Sequence, residues 1–167
     1  EDSVSHWVCP YQGKVFSKFG YRHRRRHQGV DLPYPTGTPV KAALDGKVRC
    51  AMKTKGYGNL VIIRHANGLE TFYGHLSRVD VTPNQWVHAG DVIGLGGSTG
   101  RSTGPHLHFE TRFNGFAFDP EWLADYEAGS VRKSVFVLKR TYLDPSSRYV
   151  PESIEEEEDV YGGDEKI

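Results

Sequence analysis

Short runs of alternating apolar and polar residues, broken by glycine- and proline-rich turns, dominate the chain. The cleanest is PHLHFETRF, residues 105–113. On a strand, His106 and His108 point to one face, about 6.5–7 Å apart along the chain, and Leu107 and Phe109 point to the other. In NLVIIRHANGLETFYGH two β-rich runs flank Asn67-Gly68, a strong hairpin signal. TPVKAALDGKVRCAM reads as two strands hairpinned around Asp45-Gly46. DVIGLGG is a further strand and STGRSTG a polar loop. No apolar repeat of helical period has useful length before DPEWLADY, which fits one helical turn. The pattern predicts an all-β fold: a compact, mostly antiparallel β-sandwich or barrel-like core with a short helical turn. After Glu127 the alternation weakens. SVFVLKR offers one more strand, and from Asp144 the chain reads as an acidic tail with glutamates at 155–158.

At 167 residues the chain is one typical domain with room for a tail. Its 37% hydrophobic content and 19 glycines suit a soluble, loop-rich β domain. No apolar run approaches the roughly 18 residues that cross a membrane as a helix. The opening EDSVSHWVCP does not read as a signal peptide. Net charge is zero but uneven. Residues 1–140 carry 19 Lys and Arg against 12 Asp and Glu, while residues 141–167 carry 2 against 9. The body is thus basic and the tail acidic, and the tail reads as a solvated end. Nucleic acid binding is not expected, because it needs a broad basic face with interleaved aromatics. Cys9 and Cys50 form no Cys-x-x-Cys spacing, and either a disulfide or two core thiols fits them.

A second polar group lies upstream, in HQGVDLPYPTGTPV. His27 and Asp31 would lie about 13 Å apart along a straight strand. They can reach one ion only if the backbone bends between them, and Gly29 permits such a bend. Zinc takes imidazole nitrogen and carboxylate oxygen, usually three protein ligands plus water in a catalytic site. His27, Asp31 and one of His106 and His108 would supply that set. His75, in TFYGHLS, adds a fourth histidine in a third glycine-punctuated β context. His23 and His65 read as loop and strand-end residues, and His6 and His88 as structural or exposed. Arg24, Arg25 and Arg26 read as a solvated loop or as contacts for substrate carboxylates. Tyr57 and Tyr73 either line a groove or pack on strands.

The chain resembles the lysostaphin-type, LytM-like zinc metallopeptidases that act on peptidoglycan. The resemblance runs through FSKFGYR, HQGVDLPYPTGTPVKAALDGKV, GYGNLVIIRHANGLETFYGHLS, VHAGDVIGLGGSTGRSTGPHLHFE and FDP, in family order, over roughly Phe16 to Leu123. It implies a core with a duplicated β motif. It also implies a metallopeptidase domain over 16–128, preceded by a segment 1–15 and followed by an extension 129–167 with the acidic tail. The resemblance further implies one zinc ion per chain held by His27, Asp31 and His108, with His75 and His106 as catalytic residues beside the metal. The implied activity is that of a zinc-dependent endopeptidase hydrolysing peptidoglycan cross-links or stem peptides with zinc-activated water. Its partners would be peptidoglycan peptides, and its site the periplasm, cell envelope or exterior. The alternative is a metal-binding but inactive regulator of a partner hydrolase. VHAGDVIG is also similar to the turns of lipoyl-type carrier domains, a reading that leaves the five site residues unexplained. Export makes a Cys9–Cys50 disulfide the expectation, worth roughly 4 kcal/mol in the chain-entropy model. Several charge pairs acting together would let the tail fold back over the arginines beside His27 and damp activity.

Overall fold

A computed structural model of the protein describes residues 2–3, 6–22 and 25–147. Every strand pairing among these residues is antiparallel. The main sheet has seven strands. Trp86–Val87, Gly46–Thr54, Gly58–Arg64, Leu69–Leu76, His106–Phe113 and Phe116–Phe118 follow one another across it, and Val30–Pro33 pairs with the first half of His106–Phe113. A second sheet orders Pro39–Lys41, Val92–Leu95 and Arg78–Val79. The expected all-β architecture is present, with 3₁₀ turns in place of longer helices.

Period-2 alternation explains how the sheets pack. Val48, Val61, Ile63, Tyr73, Leu107 and Phe109 from the main sheet meet Val40 and Ile93 from the second in one buried cluster. Burying such a side chain fully is worth about 1.5–3 kcal/mol. Leu107 and Phe109, both 0% exposed, therefore fix which way their strand faces. A separate cluster gathers Cys50, Tyr57, Leu60, Ile62 and Phe72. Tyr57 of that cluster lies against His108, with ring centroids 5.8 Å apart.

The Asn67-Gly68 hairpin forms as expected, with both residues at positive φ (61° and 85°) and Arg64 opposite Glu70. The Asp45-Gly46 hairpin does not. Pro39–Lys41 pairs with Val92–Leu95, whereas Gly46–Thr54 pairs with Gly58–Arg64. Asp45 instead anchors a corner between the two sheets, where its carboxylate accepts from Ala89 N at 2.7 Å. The helical turn in DPEWLADY is Pro120–Trp122, and the Asp119 side chain caps it by accepting from Glu121 N at 2.9 Å. SVFVLKR contributes the short strand Val135–Phe136, paired with Asp2–Ser3.

The expected Cys9–Cys50 disulfide is not formed; both thiols are free. Cys9 packs on the cluster between the sheets and donates to Tyr11 O at 3.2 Å, whereas Cys50 belongs to the other cluster. Burial pushes their thiols up, to about 11 for Cys9 and about 12 for Cys50. The glutamate run of the expected acidic tail lies outside the described residues, and so does its docking over the arginines.

Candidate metal centre

His108 is the third residue of the His106–Phe113 strand, opposite Asp31 on one side and Gly74 on the other. That register sets imidazole and carboxylate side by side, with His108 Nδ1 2.8 Å from Asp31 Oδ1. His27 joins them because the chain turns between Arg25–His27 and Val30–Pro33. Gly29 makes that turn possible through close approach: a Cβ there would collide with the Phe109 carbonyl oxygen. His27 Nε2 then lies 3.1 Å from Asp31 Oδ2, near but not aligned for a hydrogen bond. Ligand atoms of His27, Asp31 and His108 all lie within 4.8 Å of one another.

His75 reaches the group through a local irregularity. Asn59 faces Leu76 and Val61 faces Tyr73, so Gly74 and His75 oppose a single residue. His75 has φ 65°, a region that costs a non-glycine residue on the order of 1–3 kcal/mol and that recurs at functional sites. Its ring lies 4.7 Å from that of His106, centroid to centroid. His106 Nε2 is 3.6 Å from Asp31 Oδ1. The side chains of His106 and Asp31 are 16% and 14% exposed, whereas His27, His75 and His108 are fully buried, so solvent meets the group at His106 and Asp31.

Each of the four imidazoles has one nitrogen tied from behind. His27 Nδ1 donates to Lys18 O at 2.8 Å, His75 Nδ1 to Thr99 O at 2.7 Å and His106 Nδ1 to Gly104 O at 2.9 Å. A carbonyl only accepts, so these nitrogens carry the proton and leave Nε2 with a lone pair. The Nε2 atoms of His27, His75 and His106 are buried and have no hydrogen-bond partner. His108 is tied the other way, Nε2 donating to Glu110 Oε2 at 2.7 Å, which leaves Nδ1 toward Asp31. Imidazoles so braced by carbonyl or carboxylate, gathered beside a second carboxylate, are the donor set that suits zinc.

Charge is shared tightly here. Burial pushes Asp31 up, but the hydrogen bond with His108 and the proximity of the His108 and His27 rings outweigh it and hold the carboxyl well below its ordinary range. Burial pushes His108 down, yet Asp31 and Glu110 raise it to about 9. Burial, reinforced by the charges of His108 and His106, lowers His75 to about 3. His106 is also lowered, again mainly by burial.

The five residues singled out from sequence therefore come together. Others do not. Tyr57 and Tyr73 line no groove: both are fully buried, Tyr57 donating to Glu110 Oε2 at 2.8 Å and Tyr73 accepting from Ala43 N at 3.0 Å. His65 follows the end of the Gly58–Arg64 strand, as expected, and is buried there, and His6 and His88 are exposed. Arg26 pairs with Asp144 at 3.1 Å; His23, Arg24 and the side chain of Arg25 lie outside the described residues. Glu110 and Arg112 escaped the sequence reading. Their signal was the alternation itself, because in HLHFETRF they continue the face that carries His106 and His108.

Fold and cluster together define a class: an antiparallel β protein presenting a His–Asp–His group able to hold a metal ion. The chain belongs to peptidase family M23, whose profile matches residues 25–120. The lysostaphin-type resemblance read from sequence is thereby borne out. The chain is 50% identical over 113 residues to the DD-carboxypeptidase/endopeptidase Mpg of Neisseria meningitidis, covering 64% of this chain and 26% of that protein. It thus spans about a quarter of the length of the curated relatives it matches. The catalytic domain of lysostaphin from Staphylococcus simulans superposes with a TM-score of 0.60 at 36% identity, over 72% of this chain and 96% of that one. A zinc containing peptidase from Vibrio cholerae superposes with a TM-score of 0.63 at 34% identity, over 71% of this chain and 39% of that one.

Proposed function

We propose that this chain is the catalytic domain of a zinc-dependent endopeptidase that hydrolyses peptide bonds in peptidoglycan cross-links or stem peptides. The observation that carries the reading is two buried, unpartnered Nε2 atoms, of His27 and His106, within 3.1 and 3.6 Å of the Asp31 carboxylate, with the third, of His75, on a ring packed against His106. Family membership and the names of the relatives support the substrate class. His27 Nε2, Asp31 and His108 Nδ1 would hold one zinc ion. When bound, zinc supplies a Lewis acid that polarises a peptide carbonyl and lowers the pKa of water toward about 7.

The remaining steps belong to the chain. Lys18 O and Glu110 hold the rings of His27 and His108 in the orientation that presents their lone pairs. His75 and His106 are kept neutral mainly by burial, so each can accept a proton at Nε2 and later return it to the leaving amine. The Thr99 and Gly104 carbonyls fix both rings for that work. A pure regulator would have no use for two braced imidazoles with open nitrogens. Substrate enters where Asp31 and His106 meet solvent.

The domain would act outside the cytoplasm, in the periplasm, envelope or exterior, where its substrate lies. Among the described residues no helix is long and apolar enough to cross a membrane. Relatives named DD-endopeptidases make a bond between D-amino acids the first to test. The test is digestion of purified peptidoglycan followed by mass spectrometry of the released muropeptides. Cross-linked species should fall and monomers rise, a chelator should stop this, and zinc should restore it. An undigested substrate, or digestion indifferent to the chelator, would contradict the reading.

A further inference from the structure

The segment beyond the family match is fastened to the back of the candidate metal centre at two points. Its last described turn, Pro145–Ser147, follows Asp144, and both Asp144 and Ser147 are buried. Asp144 N donates to Ala117 O at 2.9 Å, and Ala117 N donates to Ser147 Oγ at 2.8 Å. Ser147 Oγ in turn donates to Asp144 O at 2.6 Å, which closes the loop on itself. The segment is thus seated on the Phe116–Phe118 strand, the edge neighbour of His106–Phe113.

From that seat it touches both sides of the site. Arg112 is 0% exposed, and its guanidinium donates from Nε to Glu110 Oε1 at 2.7 Å, from Nη1 to Gly115 O and Ser147 O, and from Nη2 to Gln28 Oε1 at 2.6 Å. Glu110 Oε2 then accepts from His108 Nε2. A chain of charge-assisted bonds runs from the Ser147 carbonyl through Arg112 and Glu110 to one candidate ligand. The second contact is Arg26 Nη1 to Asp144 Oδ2 at 3.1 Å, with Arg26 next in sequence to His27. Gln28, on the other side of His27, is held by the same Arg112. Ser147 O shares Arg112 Nη1 with Gly115 O, so releasing the segment loosens the guanidinium and, through it, the Glu110 carboxylate that braces His108.

We propose that Asp144–Ser147 is a clip that positions the metal ligands: it fixes Arg112 and Arg26, and through them the rings of His108 and His27. The proposal rests on the zinc reading above. Its residues lie outside the 25–120 match, so the clip is a device of this chain's own extension.

The experiment uses the full chain with Asp144→Ala and Ser147→Ala combined, Ser147→Thr as the conservative control, and wild type. Amide exchange at Ala117 reports release of the clip. Zinc affinity is read by competition with a chromophoric chelator, and ligand orientation by the visible absorption of the cobalt-substituted protein. The expected result is faster Ala117 exchange, a zinc affinity weakened by about 10–100-fold and shifted cobalt bands, with a cooperative melt retained and Ser147→Thr close to wild type. Fast Ala117 exchange with unchanged zinc affinity and cobalt bands would overturn the clip. Should the double variant not melt cooperatively, Asp144→Asn, nearly isosteric but uncharged toward Arg26, takes its place; a measurable loss of affinity supports the clip and an unchanged value overturns it. A wild-type chain that binds no zinc sinks the underlying reading, whereas zinc bound equally by wild type and variants sinks only the clip.

Discussion

His65 and the histidines of the candidate centre are both buried against the same sheet, yet their ring nitrogens are treated differently. His65 Nδ1 donates to Asp45 O at 2.8 Å, and Nε2 accepts from Thr71 Oγ at 2.7 Å. Thr71 Oγ accepts from the Tyr73 hydroxyl at 2.7 Å, and that hydroxyl accepts from Ala43 N at 3.0 Å. Every donor on this path meets an acceptor, and the path ties the segment carrying Ala43 and Asp45 to the main sheet. His27, His75 and His106 each have one nitrogen tied and the other without a partner. Leaving a buried polar atom unpaired costs about 1–3 kcal/mol, so three such atoms in one place point to a ligand rather than to scaffold. Burial alone does not separate a structural histidine from a functional one; the second ring nitrogen does.

The comparison breaks first at the candidate ligands. Asp31→Ala should reduce muropeptide release to background, because two imidazoles remain around a site that has lost its anionic donor. Residual activity above a tenth of wild type in a chelator-treated and zinc-restored sample would mean that Asp31 holds no essential ion. Next come the two open imidazoles. His75→Ala and His106→Ala should each retain zinc while turnover falls by about 10²–10⁴, the usual worth of a positioned acid–base group. Turnover near wild type in either, with a normal melt, removes that residue from the proton work.

The effect at His65 should be of another kind. His65→Leu leaves the Asp45 carbonyl and the Thr71 hydroxyl short of a partner, for about 1–3 kcal/mol of stability. Its zinc content and turnover at a temperature well below the melt should match wild type. A loss of either without a loss of stability would make His65 part of the metal centre rather than of the scaffold. The smallest expected effect is on pH dependence. Burial holds His65 below its ordinary 6.5, so the folded state keeps it neutral while the unfolded chain protonates it. Below about pH 6.5 the unfolded state binds more protons, and stability falls as pH drops. The melting temperature of His65→Leu should therefore depend less on pH between 7 and 5.5 than that of wild type; equal slopes would assign the dependence to other groups.

Much of this was legible in the sequence because a strand's period of two is rigid. His106 and His108 had to share a face once Leu107 and Phe109 were buried, and the structure buries both. Asn67-Gly68 predicted its turn because both residues tolerate positive φ, which they adopt. Asp45-Gly46 misled because a turn dipeptide reports that the chain bends, not which sheet receives the next strand. The disulfide misled because compartment chemistry says nothing about distance, and the two thiols pack in different clusters. The roles of Glu110 and Arg112 depend on Gln28 and Ser147, which are 84 and 35 residues from Arg112. No local pattern contains such partners. The left-handed backbone of His75 was equally out of reach, since nothing in TFYGHLS marks it.

The most direct test is the number of zinc ions bound per chain, measured by metal analysis after equilibrium dialysis, for wild type, His108→Ala and His65→Leu. One ion is expected for wild type and for His65→Leu, and none tightly held by His108→Ala. A full equivalent retained by His108→Ala, or lost by a folded His65→Leu, would contradict the zinc site proposed above.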